Sequence, residues 1–398
     1  MTRVSFALFF ASALVFSAAE VQTARPLERP SDLTIHEWGT FTSVAGSDGS
    51  AIEWDALGGK DDLPHFVNEF AFRCTKVQIR GTVRMETPVM YFYSSEALQA
   101  NVKVSFPRGL ITEWYPKADY QVFQKSRVDG ATHRLEANLN GIDTSLGSLT
   151  GALEWANIQV EPNTAPALPT ENAPSRYYAA RATDSAPLTV GDEHEKFLFY
   201  RGVGRFPIPL SARIASDGSI AVQKRGAETV PTVILFENRV GHTGYRNAGA
   251  VKDTATLEPP VLDSSLPALR TELADALVAQ GLFPKEAEAM VETWKDSWFE
   301  EGMRLIYIVP SRAVDAFLPL HVDPAPAQTA RVFVGRVELI TPEIERTVRE
   351  ALAKGDWSAM QPYGRFLGSI LDRIVSDNPS MENAGDQIRA KLFAAACR

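Results

Sequence analysis

The chain holds little that commits it to a known chemistry. Cysteine occurs twice in 398 residues, at Cys74 and Cys397, so metal sites built from several cysteines are excluded by count. There is no G-x-x-x-x-G-K-[ST] segment, no G-x-S-x-G elbow, no H-E-x-x-H pair and no EF-hand loop. Those absences remove the phosphate-loop enzymes, the α/β-hydrolase nucleophile, the zinc helix and that calcium loop. Gly202-Val203-Gly204 lacks the third glycine of a dinucleotide fingerprint. Positive charge is in deficit. Forty Lys and Arg stand against 49 Asp and Glu, a net charge of −9, which opposes binding to nucleic-acid phosphates and to anionic lipid. After the first 19 residues no apolar run approaches the roughly 20 residues that a spanning helix needs.

What is present begins with the leader. Residues 1–19 read as a secretory signal: Arg3, an uncharged apolar run from Val4 to Phe16, then Ser17, Ala18 and Ala19 before Glu20. An uncleaved anchor is the competing reading, and the apolar run is short for one. No cysteine follows the run, so lipid attachment at a new N-terminal Cys is excluded. The expected product is exported, periplasmic or secreted, soluble, with residues 20–31 as a flexible leader. In an oxidising compartment Cys74 and Cys397 form a pair whose bridge would stabilise by roughly 5 kcal/mol in the chain-entropy account. Two separate thiols is the alternative, since spacing along the chain does not establish proximity.

From residue 32 to 260 the pattern is mostly period two. Val77, Ile79, Val83 and Met85 alternate with Gln78, Arg80, Thr82, Arg84 and Glu86, a strand with one wet face, interrupted at Thr87-Pro88. Val102–Phe106 and Leu110–Tyr115 flank Pro107-Arg108-Gly109 as one expected hairpin. Ala212–Ala215 and Ile220–Val222 flank Ser216-Asp217-Gly218 as a second, where Asp-Gly favours a tight primed turn. About ten short strands imply a mainly β, antiparallel, sandwich-like N-terminal domain. Residues 161–175 carry Pro162, Pro166, Pro169 and Pro174 and read as a long loop or flexible insertion. After Pro259-Pro260 the period becomes helical. Leu269, Leu273 and Leu277 form one stripe, and Ala287, Met290, Val291, Trp294 and Trp298 another. Strands at Leu305–Val309 and Arg331–Ile340 and further helices complete a smaller, helix-rich α+β domain over 261–398.

The candidate site residues are few. His36, His194 and His242 stand out among six histidines, His36 beside Glu37 and His194 among acids, and imidazole with carboxylate suits a divalent metal. Glu37 and Glu113 are the candidate proton-transfer groups of such a site. Six ordinary histidines at the low count of this chain is the competing reading. Trp38 and Trp114, each next to an acid, suit a pocket wall or a glycan-stacking platform, or equally a sheet core. Trp294 and Trp298 read as core.

Four segments carry a resemblance: His36–Gly46 (HEWGTFTSVAG), Met85–Ser94 (METPVMYFYS), Leu110–Pro116 (LITEWYP) and Thr293–Gly302 (TWKDSWFEEG). Together they resemble a set of uncharacterised exported bacterial proteins. The resemblance implies a bacterial envelope or secreted setting, and it carries over no activity and no functional residue. The expected function is an extracytoplasmic binding or interaction protein whose partner is a small molecule, a glycan or an envelope protein. A metal-assisted hydrolase or oxidoreductase is the alternative. No cofactor is assigned beyond the divalent metal of that alternative.

Overall fold

The computed structural model describes residues 32–58, 62–70, 79–126, 130–135 and 146–396. The signal segment, the 20–31 leader, Cys74 and Cys397 lie outside the described residues.

Among the described residues sixteen strands precede residue 260. They are β1 (Thr34–Val44), β2 (Asn68–Glu69), β3 (Val83–Tyr93), β4 (Leu98–Pro107), β5 (Gly109–Tyr115), β6 (Asp119–Lys125), β7 (Thr132–Leu135) and β8 (Leu149–Val160). Then follow β9 (Leu188–Val190), β10 (Glu193–Glu195), β11 (Leu198–Gly204), β12 (Leu210–Ile214), β13 (Ile220–Lys224), β14 (Val230–Arg239), β15 (His242–Val251) and β16 (Thr254–Leu257). Helices dominate afterwards: α1 (Leu266–Ala279), α2 (Pro284–Trp298), β17 (Gly302–Ile308), α3 (Ser311–Phe317), β18 (Leu320–Asp323) and β19 (Gln328–Leu339). The chain ends with α4 (Pro342–Lys354), α5 (Trp357–Met360), α6 (Leu367–Asp377) and α7 (Glu382–Ala396). The protein is thus mostly β, with its helices toward the C-terminus.

The expected boundary near 260 does not divide the sheet. The main path runs β10-β9-β8-β5-β11-β3-β1-β19-β17-β14-β15, with β4, β6, β7, β2 and β18 attached to it. Strands from the C-terminal third therefore sit between β1 and β14, and β1 pairs with β19 in parallel register. Ser31–Arg398 groups as one unit by its contacts. The reason is burial. Every residue of β17 is buried, as are all of β1 after Thr34, so each of these strands needs a neighbour on both edges and cover on both faces.

Period-two alternation assigns the faces. Ile35, Phe41, Leu305, Tyr307, Phe333 and Val337 enter one apolar core, which β4, β8 and the small β12-β13-β16 sheet complete. Trp38, Ile306, Ile308, Val332 and Val334 enter a second core under α1 and α2. The leucine stripe of α1 and the Ala287–Trp298 stripe of α2 pack there as their spacing predicts, each buried leucine contributing roughly 1.5–3 kcal/mol. A third core gathers Val44, Trp54 and Leu110 under α4, α6 and α7. Gly335 lies opposite Tyr307, whose ring occupies the space a side chain would take.

Local expectations are corrected in three places. The turn at Arg108 exists, with positive φ, but β4 and β5 do not pair: β4 joins β8 and β18, and β5 joins β11, β2 and, at Gly109, β8. Burial on both faces of β5 gives it an interior place, whereas β4 alternates and needs only one covered face. The β12–β13 hairpin is present, but its loop is three residues closed by Gly218 at φ 86, and Asp217 does not take positive φ. The primed two-residue turn occurs instead at Val240-Gly241, at φ 51 and 79, between β14 and β15. Finally, Thr87-Pro88 does not end its strand. Thr87 has φ 44 in a register shift inside β3, and the expected wet face, Arg84 and Glu86, is turned inward.

Candidate functional site: a polar cavity beside a buried ion-pair network

The histidines singled out by sequence are not brought together. His36 lies on β1, whereas His194 on β10 and His242 on β15 occupy the two terminal strands of the main path. His194 contacts Thr189 Oγ1 at 2.9 Å, and His242 is exposed at the β14–β15 turn. Among the described residues no group of three His, Cys, Asp or Glu is arranged to hold a metal ion. His36 has another role. Its Nδ1 lies 2.7 Å from Glu286 Oε2, and Glu286 also accepts the Phe283 N–H at 2.7 Å and the Tyr93 hydroxyl at 2.8 Å. A wholly buried carboxylate thereby ties the first turn of α2 to β1 and β3.

Glu37 and Glu113 are also internal. Glu37 is fully buried on the Ile35 face, accepting from Arg331 Nε at 2.6 Å and from the Tyr200 hydroxyl. Glu113 accepts from Thr112 Oγ1 and stands opposite Arg201 on β11. Trp38 is buried in the second core, and Trp114 is 8 % exposed and stacked on Tyr120 at 4.8 Å. Neither tryptophan presents a ring to the surface, so the platform reading gives way to core packing.

The inward polar face of β3 joins a large ion-pair network. Arg365 donates to Glu86 at 2.6 Å and to Ser297 Oγ at 3.0 Å. Arg336 donates to Glu300 at 2.6 Å, to Glu338 at 3.0 Å and to the Ser297 carbonyl at 2.6 Å. Arg304 holds Glu338 and the carbonyls that end α2. Arg201 pairs with Asp62 at 2.7 and 3.2 Å and reaches Thr87 Oγ1. Burial alone would raise the Glu86 pKa, but Arg365, Arg84 and Arg336 hold it down to about 2. Such a carboxylate stays ionised at neutral pH and is unsuited to donating a proton. Three of the four distinctive sequence segments, through Glu86, Glu113 and Ser297–Glu300, supply this network, which joins sheet to helices.

A cavity of about 720 Å³ opens where the start of β1 meets the end of β3, at the register pair Thr34 and Tyr93. Its walls are Asp32 and Thr34, Tyr93–Ser95, the 162–168 part of the proline-rich segment, residues 183–187 and Lys196. Backbone bonds join these walls: Ala186 N to Phe92 O at 2.8 Å, and Glu161 N to Pro187 O at 3.0 Å. The proline-rich segment 161–175, read as a long loop or flexible insertion, holds no helix or strand and forms one wall of this cavity. Asp32 accepts from the Ser95 hydroxyl and amide and from Ser94 Oγ, bonds that lower its pKa. Tyr93 stands edge-on to His36, with ring centroids 5.6 Å apart, so the His36–Glu286 pair lies behind the cavity wall. Lys196 is half-buried and donates from Nζ to the Thr183 carbonyl. Desolvation lowers its pKa, with Asp184 opposing that shift. Sequence reading missed this site, because its residues are ordinary and spread over more than 160 positions; the proline cluster was its one local signal.

No family model and no curated protein matches the sequence. Among solved structures, the yeast delta-COP-I mu-homology domain complexed with a Dsl1 WxWxV peptide aligns at 10 % identity and TM-score 0.29, covering 79 % of this chain and 98 % of that chain. The same yeast domain without the peptide aligns at 9 % identity and TM-score 0.28, covering 79 % and 97 %. The exo-chitosanase CsxA of Amycolatopsis orientalis aligns at 11 % identity and TM-score 0.12, covering 62 % and 25 %. Likenesses this weak carry no functional argument. Among the described residues no helix is long and apolar enough to cross a membrane.

Proposed function

We propose that this chain is an exported binding protein for a small, hydroxyl-rich ligand of the glycan class, held in the cavity between the β1–β3 end and the proline-rich segment. Export rests on the first 19 residues, with their charged start, apolar run and small-residue end. The observation that carries the binding reading is the cavity. Its volume of about 720 Å³ falls within the roughly 300–1,000 Å³ usual for small-molecule sites. Hydroxyl and amide groups from Thr34, Ser94, Ser95, Asn163 and Thr164 line it beside the Tyr93 ring and several prolines. That mixture of polar groups with an aromatic ring suits a hydroxylated ligand. Burial of Glu37 and Glu113 in ion pairs or hydrogen bonds favours binding over acid–base turnover at those positions.

Thermal-shift and calorimetric screening against sugars and envelope extracts tests this reading. The wild-type chain should retain a ligand, and Leu168→Trp, which places an indole into the cavity wall, should abolish retention without lowering the melting temperature. Ligand retention unchanged in Leu168→Trp would sink the assignment of the cavity.

A further inference from the structure

Resting on the cavity as the binding site, we propose that its ligand is a hydroxylated monocarboxylate, a uronic or aldonic acid of one or two sugar units, with the carboxylate on the Lys196 ammonium. Lys196 lines the cavity and spends one of its three donors on the Thr183 carbonyl. Among the described residues no carboxylate lies within ion-pairing distance of it, although acids surround it. Each is already engaged. Asp184 is held by Lys285 Nζ at 2.6 Å. Glu195 is buried and takes Arg181 Nη2 at 2.6 Å, the Tyr177 hydroxyl at 3.0 Å and the Lys196 amide at 2.8 Å. Asp32 is bonded by Ser94 and Ser95.

A half-buried ammonium with no carboxylate in contact is costly, and a carboxylate from outside supplies a direct partner. The remaining wall selects the rest of the ligand. Thr34, Thr164 and Thr183 present neutral oxygen groups suited to hydroxyls, and Asp32 and Asp184 in the same wall disfavour negative charge anywhere but at Lys196. One negative charge on a polyol fits; a phosphate dianion does not. The groups facing Lys196 electrostatically are Asp184 and Glu195, which favour its charge, and Lys285, which opposes it. Affinity for a carboxylate therefore falls as pH rises through the pKa of Lys196, which lies below the ordinary 10.5.

Isothermal titration calorimetry with glucuronate, gluconate and glucose at pH 7 tests the proposal, using wild type, Lys196→Met, Lys196→Arg and Leu168→Trp. The expected result is binding of an acid sugar by wild type about tenfold or more tighter than glucose, a preference removed in Lys196→Met and kept in Lys196→Arg. A thermal melt of each variant reports folding independently. Equal affinity for glucose and glucuronate, or an unchanged preference in Lys196→Met, overturns the anionic ligand while leaving the cavity assignment standing if Leu168→Trp still abolishes binding. Binding that persists in Leu168→Trp, or no binding of any of the three probes by wild type, overturns the proposal, and the first of these also overturns the cavity assignment.

Discussion

Replacing Glu86 with glutamine removes one charge from the middle of the ion-pair network and leaves shape nearly unchanged. Arg365 then keeps Ser297 and a longer pair with Glu300 at 3.9 Å but loses its nearest carboxylate, with Arg84 and Arg336 close by. The magnitude follows from proton affinity. Against burial, the arginines hold the folded pKa at about 2, compared with an ordinary 4.5. At roughly 1.4 kcal/mol per tenfold in proton affinity, that depression corresponds to about 3 kcal/mol of stability. The folded pKa lies below the unfolded one, so this contribution is present above pH 4.5 and is lost as pH falls toward 2. Urea unfolding of wild type and Glu86→Gln, at a series of pH values, checks it. A gap of about 3 kcal/mol is expected at pH 7, closing near pH 2, where protonated glutamate resembles glutamine. An Arg365→Gln partner variant completes a double-mutant cycle whose coupling should account for most of the gap. A gap below about 1 kcal/mol at pH 7, or one that does not change with pH, would refute the electrostatic account of this network.

Two further predictions concern the backbone. Val240 takes positive φ in the β14–β15 turn while 84 % exposed, and its N–H meets both Glu301 oxygens at 3.0 Å. Val240→Asn keeps that contact and relieves a β-branched residue in the left-handed region, so it should stabilise by about 1 kcal/mol; a lower denaturation midpoint would count against the strain assigned there. Gly335→Ala would set a Cβ 2.0 Å from Tyr307 Cζ, and overpacking of this kind costs roughly 1–3 kcal/mol or more. Adding Tyr307→Leu should recover part of the loss, and a single variant as stable as wild type would show that the ring moves aside freely.

What the residues determine locally was legible. The α1 leucine stripe, the α2 tryptophan face and the β12–β13 hairpin all follow from spacing and side-chain chemistry. These features depend on neighbours within a few positions, and period and turn chemistry act over that range. Arg84 and Glu86 show where local reading stops. Their alternation with apolar residues is what a wet strand face looks like, because a one-dimensional pattern does not distinguish water from a distant arginine as the partner of a charge. Arg365 lies 279 positions from Glu86, and only packing of the C-terminal helices on the sheet brings it to 2.6 Å.

The same limit governs pairing and the site. Period two announces strands but not neighbours, so the parallel β1–β19 pair and the separation of β4 from β5 were decided by which strands need cover on both faces. The histidines looked like a site because their chemistry is distinctive, yet the sheet sets two of them on its terminal strands. The cavity has the opposite character. Threonine, serine, proline and one lysine have no signature apart, and they define a site only after the sheet and the proline-rich segment fold them around one space. Sequence alone determined the kinds of elements and the chemistry each residue carries; tertiary structure decided which chemistries meet, because proximity across hundreds of positions comes from the burial requirements of the whole sheet.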